Sequence, residues 1–143
     1  MRVLVINGPN LNLLGQRETN LYGDVSLEDI NYAMQKLAAE KQVEIDFFQS
    51  NHEGELVDRI QQAQGRVDAM IINAGALTHY SIALLDALKA VNIPFIEVHL
   101  TNIYAREEFR HQSLLSPIAR GGIFGLGAAG YSLALLAVYE WFK

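Results

Sequence analysis

No cysteine occurs among the 143 residues, which excludes disulfides, thiolate catalysis and cysteine-based metal sites. Long apolar runs are missing as well, so no segment approaches the length needed to cross a membrane. The amino terminus runs directly into Arg2-Val3-Leu4-Val5-Ile6, too short for a signal peptide and without its cleavage pattern. A cytoplasmic protein is therefore expected. Positive charge is the minority sign, 11 Lys and Arg against 16 Asp and Glu for a formal charge of −5, and this disfavours a general nucleic-acid binder. A local basic pocket for a small anion stays open. Repeats, linkers and low-complexity stretches are also lacking, so a single domain over residues 1–143 is expected, with half its residues apolar and able to form a core.

What is present alternates between two patterns. Val3 to Ile6 reads as a buried first strand ended by the loop Asn7-Gly8-Pro9-Asn10, which continues through Gly15, Arg17 and Tyr22 to Gly23. Ser26-Leu27-Glu28-Asp29 has the form of a capped helix start, with Leu27, Ile30, Met34 and Leu37 following at helical spacing. Val43 to Phe48 is a second strand, Glu53 to Gln64 a helix stopped by Gly65, and Ala69 to Ile72 a third strand. A helix opens at Thr78 or a neighbour with Ile82, Leu85 and Leu88 facing inward. Pro94 leads into a fourth strand, Ala105 to Arg110 reads as a short helix or turn, and Ile118 to Phe124 has room for a fifth strand. An apolar helix from Gly127 to near Phe142 closes the chain. This alternation implies a flavodoxin-like, doubly wound parallel sheet of order 2-1-3-4-5 with helices on both faces.

The fourth strand carries the sharpest chemical signal. Side chains alternate faces along a strand, so Glu97, His99 and Thr101 share one side of an otherwise apolar segment. Burying an unpaired charge costs several kcal/mol or shifts a pKa, which leaves a satisfied polar pair or an acid/base site. In the 2-1-3-4-5 order, ligands bind outside the carboxyl ends of the strands, between the first and third and beside the fourth. The chain places Asn7, Asn10, Arg17 and Tyr22 there from the first strand, Asn73, Thr78 and His79 from the third, and Glu97, His99, Thr101 and Asn102 from the fourth. That convergence favours the acid/base reading.

Competing motifs are weaker. Gly125-Leu126-Gly127-Ala128-Ala129-Gly130 matches GxGxxG, but it follows the last strand, and close helix–sheet packing explains it better than a dinucleotide site. Asn7 and Asn73 stand where a phosphoacceptor domain would carry acids, and no GxSxG elbow offers a serine nucleophile. Glu97 and His99 lack further ligands at a recognised spacing, so no metal is expected, and His52 and His111 read as solvated. Lys36, Lys41, Lys89 and Lys143 all lie away from the catalytic edge, which removes a Schiff-base route. The kit left over is Tyr22, Arg17, His99, Glu97 and several asparagines. A tyrosine ionises near pH ~10, so it serves as a base only where a cation favours its anion by roughly 4 kcal/mol for ~3 units. The alternative is that Arg17 and Tyr22 are ordinary residues of an exposed loop.

These residues lie in stretches that together closely resemble the type II 3-dehydroquinate dehydratases. The resemblance runs almost end to end: INGPNLNLLGQRE, LYG, FFQSNHEGELVD, INAGALTHYSIALLDAL, IEVHLTNIYAREEFRHQS and GLGAAGYSLAL, in order. Thr101 stands where some members have serine. It implies dehydration of 3-dehydroquinate to 3-dehydroshikimate through an enolate in the shikimate pathway, with no cofactor. By resemblance, Tyr22 as tyrosinate takes the proton alpha to the ketone, and Arg17 on the same loop holds it ionised with Arg106 as helper. Asn10 positions a water on the enolate, while His99 protonates the departing hydroxyl under the orientation of Glu97. Leu100 and Thr101 backbone amides bind the carboxylate, and Asn73, His79 and Arg110 contact the carboxylate or ring hydroxyls. Asp86 reaches a neighbouring subunit's site in a dodecamer built as a tetramer of trimers. The loop from about Leu14 to Gly23 closes over the site. The rival from another class is a non-enzymatic flavodoxin-like module that binds a small anion or nucleotide at the same edge.

Overall fold

Val3, Leu4, Val5 and Ile6 are each at most 1 % exposed, so the first strand is covered on both faces and must lie inside a sheet. The computed structural model, which describes residues 1–16 and 18–143, places it there. Strands β1 (Arg2–Asn7), β2 (Glu44–Gln49), β3 (Ala69–Asn73), β4 (Phe95–His99) and β5 (Gly121–Phe124) form one sheet in the order β2-β1-β3-β4-β5. Every pairing is parallel. This is the flavodoxin-like doubly wound arrangement expected from the sequence.

Alternation along the strands divides the core in two. Val3, Val5, Ala69, Ile71, Ile96 and Val98 pack with α2 (Leu27–Glu40) and α5 (Ala129–Phe142) on one face. Leu4, Ile6, Met70, Ile72 and Phe95 pack with α3 (Glu53–Gln62) and α4 (Ile82–Val91) on the other. Period two then assigns the polar residues at the strand ends. Asn7 and Asn73 continue the α2/α5 face, whereas Glu97 and His99 continue the α3/α4 face.

Local chemistry sets the boundaries. Ser26 Oγ accepts the Asp29 N–H and the Asp29 carboxylate accepts the Ser26 N–H, both at 3.1 Å, so α2 opens with the reciprocal cap its sequence announces. The single turn α1 (Thr19–Tyr22) precedes it. Close approach demands Gly8: a Cβ there would lie 2.4 Å from the Ala74 oxygen, while the Gly8 N–H reaches the Asn73 oxygen at 2.8 Å. The loops after β1 and β3 therefore touch directly above the sheet. Gly130 does the same for α5, where an added Cβ would meet Ile123 at 3.3 Å and Val98 at 3.6 Å, as the packing reading of the GxGxxG stretch requires.

Two expectations need correction. The helix placed from Thr78 begins at Ile82, because Ser81 Oγ accepts the Leu84 N–H at 3.0 Å and caps it there; Gly75–His79 is a separate 3-10 segment. This moves the helical phase, so Leu84, Ala87, Leu88 and Val91 are buried while Ile82 is 64 % exposed. The fifth strand, Gly121–Phe124, falls within the stretch read for it, and before it residues 113–116 fold into a turn around the Ser113 hydroxyl, which accepts the N–H groups of Leu115 and Ser116. His111 is not freely solvated: it is half-buried, and its Nε2 donates to the Arg106 carbonyl at 2.9 Å. No helix among the described residues is long and apolar enough to cross a membrane.

Candidate active site

Parallel strands end together, and here the ends are polar. Gln49, Asn7 and Asn73 stand side by side in register at the carboxyl edge of β2, β1 and β3. Above this edge lies a pocket lined by Asn10, Tyr22, Asn73, His79, His99 and Arg106, together with Leu100, Thr101 and Arg110. Residues from five separate segments thus converge on one cavity. Arg17 lies outside the described residues.

The floor is a buried polar bridge. The Tyr131 hydroxyl on α5 donates to Asn7 Oδ1 at 2.6 Å and accepts from Asn73 Nδ2 at 2.9 Å. Asn73 Oδ1 in turn accepts the Gly75 N–H at 3.2 Å, which fixes which end of the amide is oxygen. Burial pushes the Tyr131 phenol far above its ordinary pKa, against the smaller effect of Asn73, so it remains a proton donor. Asn10 sits in the left-handed region at φ 71°, a conformation asparagine tolerates, and its N–H donates to Asn51 Oδ1 at 2.9 Å.

Glu97 and His99 form the pair their spacing suggests. Both are buried, at 3 % and 8 % exposure, and His99 Nε2 lies 2.6 Å from Glu97 Oε2. Burial by itself pushes the Glu97 pKa up. The hydrogen bonds from His99, Ser113 and Ser116 together outweigh it and hold the carboxyl below the ordinary value. An ionised carboxylate only accepts, so His99 Nε2 carries a hydrogen and its Nδ1 is left for the pocket. Ser113 Oγ donates to Glu97 Oε2 at 2.6 Å and Ser116 Oγ donates to Oε1.

His79 stacks beside His99, ring centroids 6.3 Å apart and planes at 20°. Its Nδ1–H donates to the Gln112 carbonyl at 2.8 Å. Burial lowers the His79 pKa against the pull of that carbonyl, so the ring is neutral at neutral pH and keeps Nε2 as an acceptor.

The lining also includes a cationic and aromatic group. The Arg106 guanidinium lies over the Tyr22 ring, 5.3 Å from its centroid, and donates to Thr101 Oγ1 at 3.4 Å. Arg110 is held by Glu107 at 2.6 Å. Tyr22 itself ends α1 and is half-buried against the α2/α5 core. Asp86 is exposed on α4 and does not line this pocket. Among the described residues, no group of three His, Cys, Asp or Glu side chains gathers as a metal site.

Sequence reasoning passed over Ser113, Ser116, Tyr131 and Asn51. The serines fall between the Ala105–Arg110 turn and the fifth strand with no motif of their own, and Tyr131 sits inside an apolar helix pattern. A tyrosine in the inner stripe of such a helix is the one available signal, since a buried phenol needs a partner.

Comparison with known proteins agrees with this architecture. The family described as Dehydroquinase class II matches residues 1–139. A 3-dehydroquinate dehydratase from Caldicellulosiruptor bescii is 59 % identical over 140 residues, covering 97 % of each chain. One from Francisella philomiragia is 61 % identical over 141 residues, covering 99 % of this chain and 96 % of that one. The crystal structure of a type II dehydroquinase from Butyrivibrio crossotus superimposes with a TM-score of 0.94 at 45 % identity, covering 98 % of this chain and 97 % of that one. The chain belongs to the class II dehydroquinase family.

Proposed function

We propose that this protein is a hydro-lyase that converts 3-dehydroquinate to 3-dehydroshikimate and water, serving the shikimate pathway. The relatives' activity and the family membership support this. The observation that supports the mechanism is that one pocket is lined by Tyr22, Arg106 and His99, with Arg106 over the Tyr22 ring and His99 held from behind the lining by Glu97. An anti elimination needs a base and an acid on opposite sides of one ring.

In this scheme the Tyr22 phenolate removes the proton alpha to the ketone and the C–H electron pair becomes an enolate. Arg106, and Arg17 from the loop, supply the positive charge that favours the phenolate. Asn10 holds a water against the enolate oxygen, which spreads the new charge as an oxyanion hole does. The enolate then re-forms the ketone as the C–O bond breaks. Protonated His99 gives its Nδ1 proton to the departing hydroxyl, and water leaves. Tyr22 ends neutral and His99 ends unprotonated, so one proton returning from the phenol to the imidazole resets the enzyme. Glu97 orients His99 and balances its charge. The backbone amides of Leu100 and Thr101 take the substrate carboxylate, with Asn73, neutral His79 and Arg110 on carboxylate and ring hydroxyls. Nothing in the scheme calls for a metal or organic cofactor. Asp86, turned away from its own pocket, reaches a neighbouring subunit in a dodecamer of four trimers.

Incubation with 3-dehydroquinate tests the reading directly, because the product's conjugated enone absorbs in the ultraviolet. Conversion is expected, and Tyr22→Phe should abolish it while keeping ligand affinity within about tenfold. A protein that binds the substrate and never turns it over would instead be a binding module.

A further inference from the structure

We propose that Ser113 and Ser116 are positioning residues: their hydroxyls clamp the Glu97 carboxylate so that it holds the His99 imidazole in one orientation and one tautomer. This rests on the assignment of His99 as proton donor given above.

The clamp is built from a seven-residue stretch, His111-Gln112-Ser113-Leu114-Leu115-Ser116-Pro117. Ser113 Oγ accepts the N–H groups of Leu115 and Ser116, both at 3.1 Å, which shapes the turn and commits the hydroxyl's own hydrogen outward. That hydrogen goes to Glu97 Oε2 at 2.6 Å, and the Ser116 hydroxyl goes to Oε1. With His99 Nε2 on Oε2, three donors occupy the two oxygens, so the carboxylate cannot rotate without breaking one of the bonds, and protonation would weaken the acceptor that all three share. A carboxylate held this way fixes the ring it accepts from, as a hydrogen-bonded carboxylate does for a metal-bound histidine. The groups facing Glu97 are His99 on its own strand, His79 stacked behind His99, and Arg110 beyond, whose charge also bears on His79. Among the described residues, His99 is its one ion-pair partner.

Closing the turn is a purely structural role that Ser113 alone fulfils. The Ser116 hydroxyl contributes nothing to that turn, and its bond is to Glu97. Ser116 therefore separates the two roles.

The test measures kcat and KM for 3-dehydroquinate across pH in Ser116→Ala, in the Ser113→Ala/Ser116→Ala pair, in Ser116→Thr and in Glu97→Gln. A carboxylate that loses donors takes up a proton more readily, so the acidic limb of the kcat profile should move up by about one pH unit in the pair and by less in Ser116→Ala. The pair's kcat should fall about tenfold with KM within about threefold, and Ser116→Thr should restore both profile and rate. Should the pair fail to fold, Ser116→Ala still decides the matter, because the turn keeps its Ser113 bonds. An unmoved acidic limb beside a crippled Glu97→Gln overturns the clamp and leaves the His99 assignment standing. A fully active Glu97→Gln overturns that assignment itself.

Discussion

The guanidinium of Arg106 lies 5.3 Å from the centre of the Tyr22 ring while also donating to Thr101 Oγ1 at 3.4 Å. One cation thus touches both the proposed base and the segment that follows the strand carrying the proposed acid. Arg106→Ala should lower kcat by about 10- to 100-fold, because a positive charge beside a developing or standing anion is worth most in a closed site. Arg106→Lys should recover only part of it, since an ammonium cannot stack flat on the ring. Steady-state rates across pH measure this, and an Arg106→Ala enzyme at full speed would remove the residue from the mechanism.

His99→Ala separates the two halves of the reaction. Exchange of the alpha proton needs only the base, whereas loss of the hydroxyl needs the acid. The variant should retain exchange of substrate hydrogen with solvent deuterium at a rate well above its formation of enone. Equal slowing of both would mean that His99 does not act as the acid.

Tyr131 supports the site without touching substrate. Its hydroxyl bridges Asn7 and Asn73 inside the core, so Tyr131→Phe leaves two buried amides short of a partner. That should cost about 1–3 kcal/mol of stability, seen as a lower denaturant midpoint with unchanged slope. An unaltered midpoint would contradict the bridge.

Acid should weaken the fold partly through Glu97. Its folded-state pKa lies below the ordinary 4.5, so its contribution is fully present above 4.5 and is lost as pH falls from there through the lower folded value. The stability difference between the native protein and Glu97→Gln should therefore shrink as urea titrations are taken from neutral pH to below 4.5. A difference independent of pH would show that ionisation of this group is not linked to folding.

Much of this was legible in the chain itself. Alternating apolar periods of two and 3.6 specify strands and helices, and their strict succession leaves a doubly wound parallel sheet as the simplest closed arrangement. The two-residue spacing of Glu97 and His99 places both on one face of β4 whatever surrounds them, and the Ser26–Asp29 cap is complete within four residues. Such features involve neighbours in sequence, so local geometry decides them. Contacts across long separations were left to the packed structure. The bridge joins Tyr131 to Asn7, 124 positions away, the serine turn meets a carboxylate 16 and 19 positions away, and Arg106 lies over the ring of Tyr22. Those pairings depend on how the ends of β1, β3 and β4 are set against α5 and the 113–116 turn, and no local pattern encodes that distance.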